Sequence, residues 1–228
     1  MTNRLPLLTL ALALLGSAAH AATEFSAAEQ ALFVDNHLAK LRPPQVLSYR
    51  FAKTGSMEPG FEDTVRLNLS ALPDKTCCAA KAQFFTGARQ LRQPEIEGVQ
   101  GNPAILYFLE RDIREMERLT KGKANYFRKR IRMAVFQGAT IREVNLPYRG
   151  KSVAVREISI DPYVDDPNRA KFEKLAGKHY VFMLSDSVPG GLYGIRTRID
   201  GETADAPAAM AETLLIDGAP TAPPQPKP

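Results

Sequence analysis

The sequence has no Trp, only two Cys and only three His. Its cysteines are the adjacent pair Cys77-Cys78, so the chain has neither a C-x-x-C redox motif nor a Cys-rich metal-binding pattern. His37 and His179 lie far apart, and no H-E-x-x-H, G-x-S-x-G or phosphate-loop motif occurs. The common signatures of thioredoxin-like, zinc-dependent and nucleotide-hydrolysing enzymes are therefore missing.

Long apolar runs are also scarce, and the longest lies at the N-terminus. Arg4 precedes a mostly apolar stretch, residues 5–15, and Ala19-His20-Ala21 matches a small-x-small cleavage site. This stretch is too short for a bilayer core, which needs about 20 residues. We therefore predict that residues 1–21 are a cleaved signal peptide and that the mature chain is periplasmic, without a transmembrane segment.

Helical spacing follows the predicted cleavage site. Ser26 and Glu29 have the spacing of a capping box, and Pro43-Pro44 would stop a helix. This predicts an N-terminal amphipathic helix of about 16 residues. A second helix is predicted from Asn102 as N-cap and Pro103 at the first helical position. Its apolar stripe comprises Ile105, Leu109, Ile113 and Met116.

Alternating apolar and polar residues predict the strands. Three strands precede the second helix, and two further hairpins surround the turns "RGK" and "SVPGG". The predicted fold class is α+β: a curved antiparallel sheet of about eight strands, half-barrel-like, covered on one face by the N-terminal helix and the second helix. We predict one domain over residues 22–199 and a flexible Pro/Ala-rich tail over residues 200–228.

A basic stretch, "RLTKGKANYFRKRIRMAVF", follows the second helix, and the net charge of the chain is +5. On a strand, Arg128, Arg130 and Arg132 would share one face and form a candidate site for an anionic ligand. A helix with Phe127 and Ile131 in its apolar stripe is the alternative. The arginines could also be solvated or paired with acids. A nucleic-acid partner is disfavoured because export removes the chain from it.

The remaining candidates for chemistry are two local clusters. Cys77 and Cys78 form a disulfide candidate, with two free thiols or an intermolecular bridge as alternatives. Asp161, Asp165 and Asp166 are close in sequence, but Asp166 suits a helix cap and the spacing fits no calcium loop. The sequence therefore predicts no metal, no cofactor and no catalytic residue.

The order of elements, a helix before an antiparallel sheet with a second helix inserted, resembles the periplasmic lipoprotein-carrier (Lol) type of half-barrel. This resemblance covers residues 25–199. It implies an apolar cavity beneath helices and a carrier of lipid or lipoprotein. We therefore expect a periplasmic binding or carrier protein for an amphiphilic, acidic ligand. The alternatives are a non-enzymatic envelope assembly protein with a protein partner, and an exported hydrolase.

Overall fold

The computed structural model describes residues 25–74, 77–203 and 205–221, so the predicted signal peptide lies outside the described residues. The helices are α1 (Ala27–Glu29), which continues as a π-helical turn (Gln30–Val34), α2 (Pro103–Thr120) and α3 (Ala124–Gln137). The strands are β1 (Gln45–Thr54), β2 (Phe61–Ala71), β3 (Cys77–Phe84), β4 (Leu91–Arg92), β5 (Thr140–Tyr148), β6 (Lys151–Ile160), β7 (His179–Leu184), β8 (Leu192–Ile199) and β9 (Met210–Ile216).

These strands form one antiparallel sheet in the order β4-β3-β2-β1-β9-β8-β7-β6-β5. The sheet curves, and the tip of the β5–β6 hairpin reaches back to its middle. The Arg149 backbone N–H donates to the Gly218 carbonyl at 2.9 Å, and the Tyr193 hydroxyl donates to the Pro147 carbonyl at 2.8 Å. The predicted fold class, a curved antiparallel sheet in an α+β half-barrel, is confirmed.

The helices cover the concave side of the sheet. α2 contacts β2 and β3, and α3 contacts β6. Asn102 caps α2 as predicted, with its side-chain oxygen accepting from the Ala104 N–H at 3.0 Å. No helix in the described part of the chain is long and apolar enough to cross a membrane.

The N-terminal helix is shorter than predicted. The capping box of Ser26 and Glu29 is present, but the helical turns end at Val34. Beyond them, the Asn36 side chain accepts from the Leu38 N–H at 3.2 Å, and this local bond competes with helix continuation. Leu38 is still buried, at 1% exposure, because the turn holds it against the core.

The prediction of a flexible tail over residues 200–228 is wrong for the residues of β9. This strand lies between β1 and β8, near the centre of the sheet. Its inward positions alternate as in any half-buried strand, but one of them is Glu212, which is fully buried. A charge at an inward position hides the alternation from a search for apolar residues.

The strand interpretation of the basic stretch is also wrong, because residues 124–137 form α3. The alternative stripe is confirmed: Phe127, Ile131 and Val135 are buried, at 0–3% exposure. α3 has no side-chain cap of its own; instead, Glu117 of α2 accepts from the Ala124 N–H at 3.1 Å. The start of this helix therefore has no local signal in the sequence, since its cap comes from the preceding helix.

The position of β9 can be tested by stability. Leu214 is fully buried in β9, and Thr213 beside it is only half-buried. We expect Leu214→Ala to lower the free energy of unfolding by about 2–5 kcal/mol, the usual cost of a core Leu→Ala change. Thr213→Ala is the matched control and should cost clearly less. Urea unfolding measures both, and a neutral Leu214→Ala would contradict a central β9.

Candidate functional site

The three arginines predicted to form one anion site do not share one face, because residues on a helix advance by about 100° each. Arg128 and Arg132, four residues apart, lie on one side of α3, and Arg130 points away from them. Arg128 makes two hydrogen bonds of 2.8 Å to the carboxylate of Glu110. Arg130 pairs with Asp166, with 2.7 Å between Nε and Oδ2. Arg132 is exposed and makes no hydrogen bond or ion pair with any described residue. The structure therefore leaves one of the three free to meet an anion.

Arg128 and Arg132 lie at the edge of an apolar groove between the N-terminal segment and the two long helices. The groove has a volume of about 360 Å³. Three of its apolar side chains are strongly exposed: Phe25 at 60%, Leu106 at 51% and Phe33 at 38%. Its other lining residues are Glu29, Leu109, Glu110, Ile113 and Ile131.

Both acidic residues of the groove already have partners. The Glu29 carboxylate accepts from the Ser26 N–H at 3.1 Å in the capping box. The hydrogen bonds from Arg128 lower the pKa of Glu110 and occupy both of its oxygens. Arg132 is therefore the charged group of the groove that has no partner among the described residues.

This combination has a clear chemical preference. Exposed apolar side chains in a groove gain free energy when a ligand removes them from water. A guanidinium at the edge offers several donors to a carboxylate or phosphate. The volume lies at the lower end of the range for small-molecule sites. The groove is suited to a molecule with an apolar chain and an acidic group at one end.

A second cluster lies in the core, where α2 meets the sheet. It contains three acidic and three basic side chains, none more than 10% exposed. They are Lys53, Arg111, Asp112, Glu115, Lys178 and Glu212. We call these six residues the buried ion network. Arg111 and Glu115 are four residues apart on α2, a spacing typical of exposed surface pairs, but both are buried members of this network.

Each acid of the buried ion network has a basic partner. Lys178 pairs with Asp112, whose other oxygen accepts from the Tyr180 hydroxyl at 2.6 Å. Lys53 pairs with Glu115. Arg111 Nη2 lies 2.7 Å from both Glu115 and Glu212. Positive and negative charges therefore balance within the core.

The pKa values follow from burial and from these partners. Burial raises the pKa of Glu212, but Lys178 and Arg111 outweigh it and lower that pKa to about 2. Burial lowers the pKa of Lys178, but Asp112 and Glu212 outweigh it and raise that pKa. Burial and the charge of Glu212 together raise the pKa of Glu115. Glu212 and Lys178 are thus held in their charged forms.

Three carboxylates of the network could also be considered as metal ligands. Oxygens of Asp112, Glu115 and Glu212 lie within 4.8 Å of one another. A divalent cation would need these oxygens, but Lys178, Lys53 and Arg111 already occupy them. The residues therefore fit an internal ion network that ties α2 to the sheet, and they do not fit a metal site.

The two described histidines are held separately. His37 is bonded to the Ala31 carbonyl through Nε2, at 2.8 Å, and accepts from the Asn102 N–H through Nδ1, at 3.0 Å. His179 lies 2.8 Å from Asp161 at the surface. In the described residues, no Ser, Thr or Cys side chain hydrogen-bonds to either imidazole. A nucleophile activated by histidine is therefore not assembled there.

The remaining sequence candidates are also placed. Cys77 and Cys78 form a disulfide between adjacent residues at the start of β3, one of the three outcomes left open by the sequence. Asp166 accepts from the Asn168 N–H at 2.7 Å and pairs with Arg130. The N-cap position of the short helix that follows is Asn168, so the prediction of Asp166 as a helix cap is wrong. Asp161 pairs with His179 instead. Asp165 lies with Asp161 along a shallow pocket beside α3. Among the described residues, the oxygens of Asp161, Asp165 and Asp166 do not come together within 4.8 Å, as a shared metal ion would need.

Comparison with known proteins gave no match, either to protein-family models or to curated proteins. Function is therefore inferred from the groove and its charges.

Sequence reasoning missed most of the groove and all of the buried ion network, although signals for the network exist. Lys53 continues the inward alternation of β1, and Asp112 lies three residues after Leu109 on the apolar side of α2. A charge at an inward position is the signal of a buried partner. Phe25, Phe33 and Leu106 have no comparable signal, because isolated exposed apolar residues are normal.

The buried ion network predicts a large effect of losing one charge. Lys178→Met leaves Asp112 without its cation, and we expect it to lower the free energy of unfolding by about 3–5 kcal/mol. Adding Asp112→Asn removes the unpaired charge but keeps an acceptor for Tyr180, so the double variant should recover part of that loss. Lys174→Met removes an exposed pair and is the control. Urea unfolding measures the free energy of unfolding of each variant. If the single and the double variant lose the same amount, the pairing of Lys178 with Asp112 is contradicted.

The network also predicts acid sensitivity. The folded-state pKa of Glu212 is about 2, below its usual value of about 4.3, so its stabilising contribution is complete above about pH 5. That contribution should be lost as the pH falls from 5 towards 2. Burial raises the pKa of Glu58, but Lys53 and Arg118 outweigh it and lower that pKa to about 2. The stabilising contribution of Glu58 should therefore also be lost as the pH falls.

Glu115 opposes this trend, because its raised pKa favours protonation in the folded state. Urea unfolding at about pH 6, 4 and 3 measures the sum of these effects on the free energy of unfolding. We expect stability to fall across the series, and Glu58→Gln to reduce the fall. Equal stability at every pH, in the unsubstituted protein and in Glu58→Gln alike, would contradict the prediction that Glu58 is held as a charged group.

Proposed function

We propose that this protein is an exported, periplasmic binding or carrier protein for an acidic amphiphile. The apolar part of the ligand lies in the groove against Phe25, Phe33 and Leu106, and its acidic group pairs with Arg132. The observation that carries the proposal is the groove with exposed apolar walls and one unpaired guanidinium at its edge. Export is supported by the sequence of residues 1–21.

The site differs from the one that the Lol-type resemblance implies. In that type, the ligand lies between the sheet and its helices. Here the concave face is filled by side chains at 0–1% exposure, among them Tyr49, Phe51 and Phe108, and by the buried ion network. The groove on the outer side of the helices is therefore the proposed site. The resemblance itself stays a prediction about the order of elements.

Binding is favoured over hydrolysis by the surroundings of the two histidines. A serine or cysteine hydrolase needs a base within hydrogen-bond reach of its nucleophile. Among the described residues, His37 contacts backbone groups and His179 contacts Asp161. The described residues that line the groove are apolar or charged, and none of them carries a hydroxyl or thiol.

Two measurements test the proposal. Protein exported from the complete gene and purified without detergent is extracted with organic solvent, and the extract is analysed by mass spectrometry for an acidic amphiphile. The protein is then titrated with a fluorescent long-chain fatty acid and with the matching fatty alcohol. We expect Arg132→Gln to weaken fatty-acid binding about tenfold or more, since hydrogen bonds to charged groups contribute about 1.5–3 kcal/mol. Alcohol binding should stay unchanged.

Leu106→Asn should weaken both probes, because it replaces an exposed apolar wall of the groove. Val46→Asn is the matched control: Val46 is 54% exposed, on the other face of the sheet. If the fatty acid and the fatty alcohol bind alike, Arg132 does not select an acidic group. If Leu106→Asn and Val46→Asn have equal effects, the groove is not the site. Either result overturns the proposal.

A further inference from the structure

The outward face of α3 combines positive charge with exposed apolar groups. Lys129, Arg132, Met133 and Phe136 are spaced as i, i+3, i+4 and i+7, so they lie on one side of the helix, opposite the buried stripe. Met133 is 36% exposed and Phe136 is 50% exposed. We call these four residues the α3 face. It borders the groove through Arg132 but is otherwise separate from it.

The charge of the α3 face is not neutralised internally. α3 contains four Lys and Arg residues and no Asp or Glu. Arg128 and Arg130 pair with Glu110 and Asp166, as described above. Lys129 and Arg132 make no hydrogen bond or ion pair with any described residue. The two cations that remain free are those that flank the exposed apolar side chains.

Exposed apolar side chains of neighbouring segments lie next to Arg132 and extend the apolar surface beyond α3. Ser26 donates from its hydroxyl to the Val135 carbonyl at 3.3 Å, which brings the N-terminal segment beside α3. Phe25, at 60% exposure, and Leu106, at 51%, therefore continue the same side of the molecule. An exposed apolar patch interleaved with unpaired cations is unusual for a surface that faces only water.

We infer that the α3 face docks on the surface of an anionic lipid bilayer. Phe136 and Met133 enter the interface between headgroups and acyl chains, while Lys129 and Arg132 contact lipid phosphates. A basic helix with apolar groups among its cations and no acid of its own has the charge that complements such a surface. This inference shares Arg132 with the proposed ligand site, but Lys129, Met133 and Phe136 do not line the groove, so variants of these three residues test it separately.

Vesicle flotation tests the inference. The exported protein, with its N-terminus read by intact mass, is mixed with vesicles of phosphatidylcholine alone or of an equimolar mixture with phosphatidylglycerol. We expect binding to the mixed vesicles and much less to the neutral ones, and we expect added salt to weaken it. Lys129→Gln should reduce the vesicle affinity about fivefold, from about 1 kcal/mol per cation. Phe136→Ser should reduce it about tenfold or more, from the burial of one aromatic side chain.

Matched controls lie on the opposite face of the sheet, where Arg66, Lys81 and Val46 are exposed. Lys81→Gln and Arg66→Gln each remove the same charge as Lys129→Gln, and Val46→Ser removes an exposed apolar group. Each control should leave vesicle binding unchanged. Because Lys129 and Phe136 are also exposed, their substitution leaves the core intact, and equal urea midpoints would verify this.

The two proposals fail in different ways. Phe136→Ser should weaken vesicle binding and keep fatty-acid binding in the groove. If the unsubstituted protein binds vesicles but not the fatty acid, only the groove proposal fails. Equal binding to neutral and anionic vesicles, or equal effects of Lys129→Gln and Lys81→Gln, would overturn the docking face. Retention on immobilised polyglutamate without any vesicle binding would also overturn it, and would indicate an acidic protein partner instead.

Discussion

The buried ion network is the interaction on which the arrangement of the helices depends. α2 contributes Arg111, Asp112 and Glu115 to it, and the sheet side contributes Lys53, Lys178 and Glu212. A rotation of α2 by one residue would move these groups by about 100° and leave charges unpaired in the core. Since an unpaired buried charge costs several kcal/mol, α2 has few positions available on the sheet.

The position of α2 then determines the surface on its other side. Three residues connect α2 to α3, and Glu117 of α2 caps the first turn of α3. Arg128 of α3 also pairs with Glu110 of α2, so a second side-chain contact joins the two helices. With α3 held in this way, its buried stripe meets the core and its cations face outward. The buried ion network sets the position of α2, and α2 in turn positions α3. The groove and the α3 face therefore depend on the buried ion network.

Local signals in the sequence were sufficient wherever the partner of a residue is near in the chain. The capping box at Ser26 and the cap at Asn102 are present, and the alternating segments that became β1, β2, β3 and the two later hairpins form strands. The same approach failed for α3, whose cap comes from another helix, and for β9, where Glu212 interrupts the apolar alternation. For the site, it selected Arg128, Arg130 and Arg132, but could not see that Glu110 and Asp166 neutralise two of them.

The sequence by itself determined the fold class, the caps, most of the strands and the presence of a cluster of cations, because spacing and side-chain chemistry act over a few residues. Only the tertiary structure decided which of those charges are buried, paired or free. Pairing of Lys178 with Asp112 joins positions 66 residues apart, and pairing of Arg111 with Glu212 joins positions 101 residues apart. The strength of an ion pair depends on distance in space and on burial, and neither quantity is written in the order of the residues.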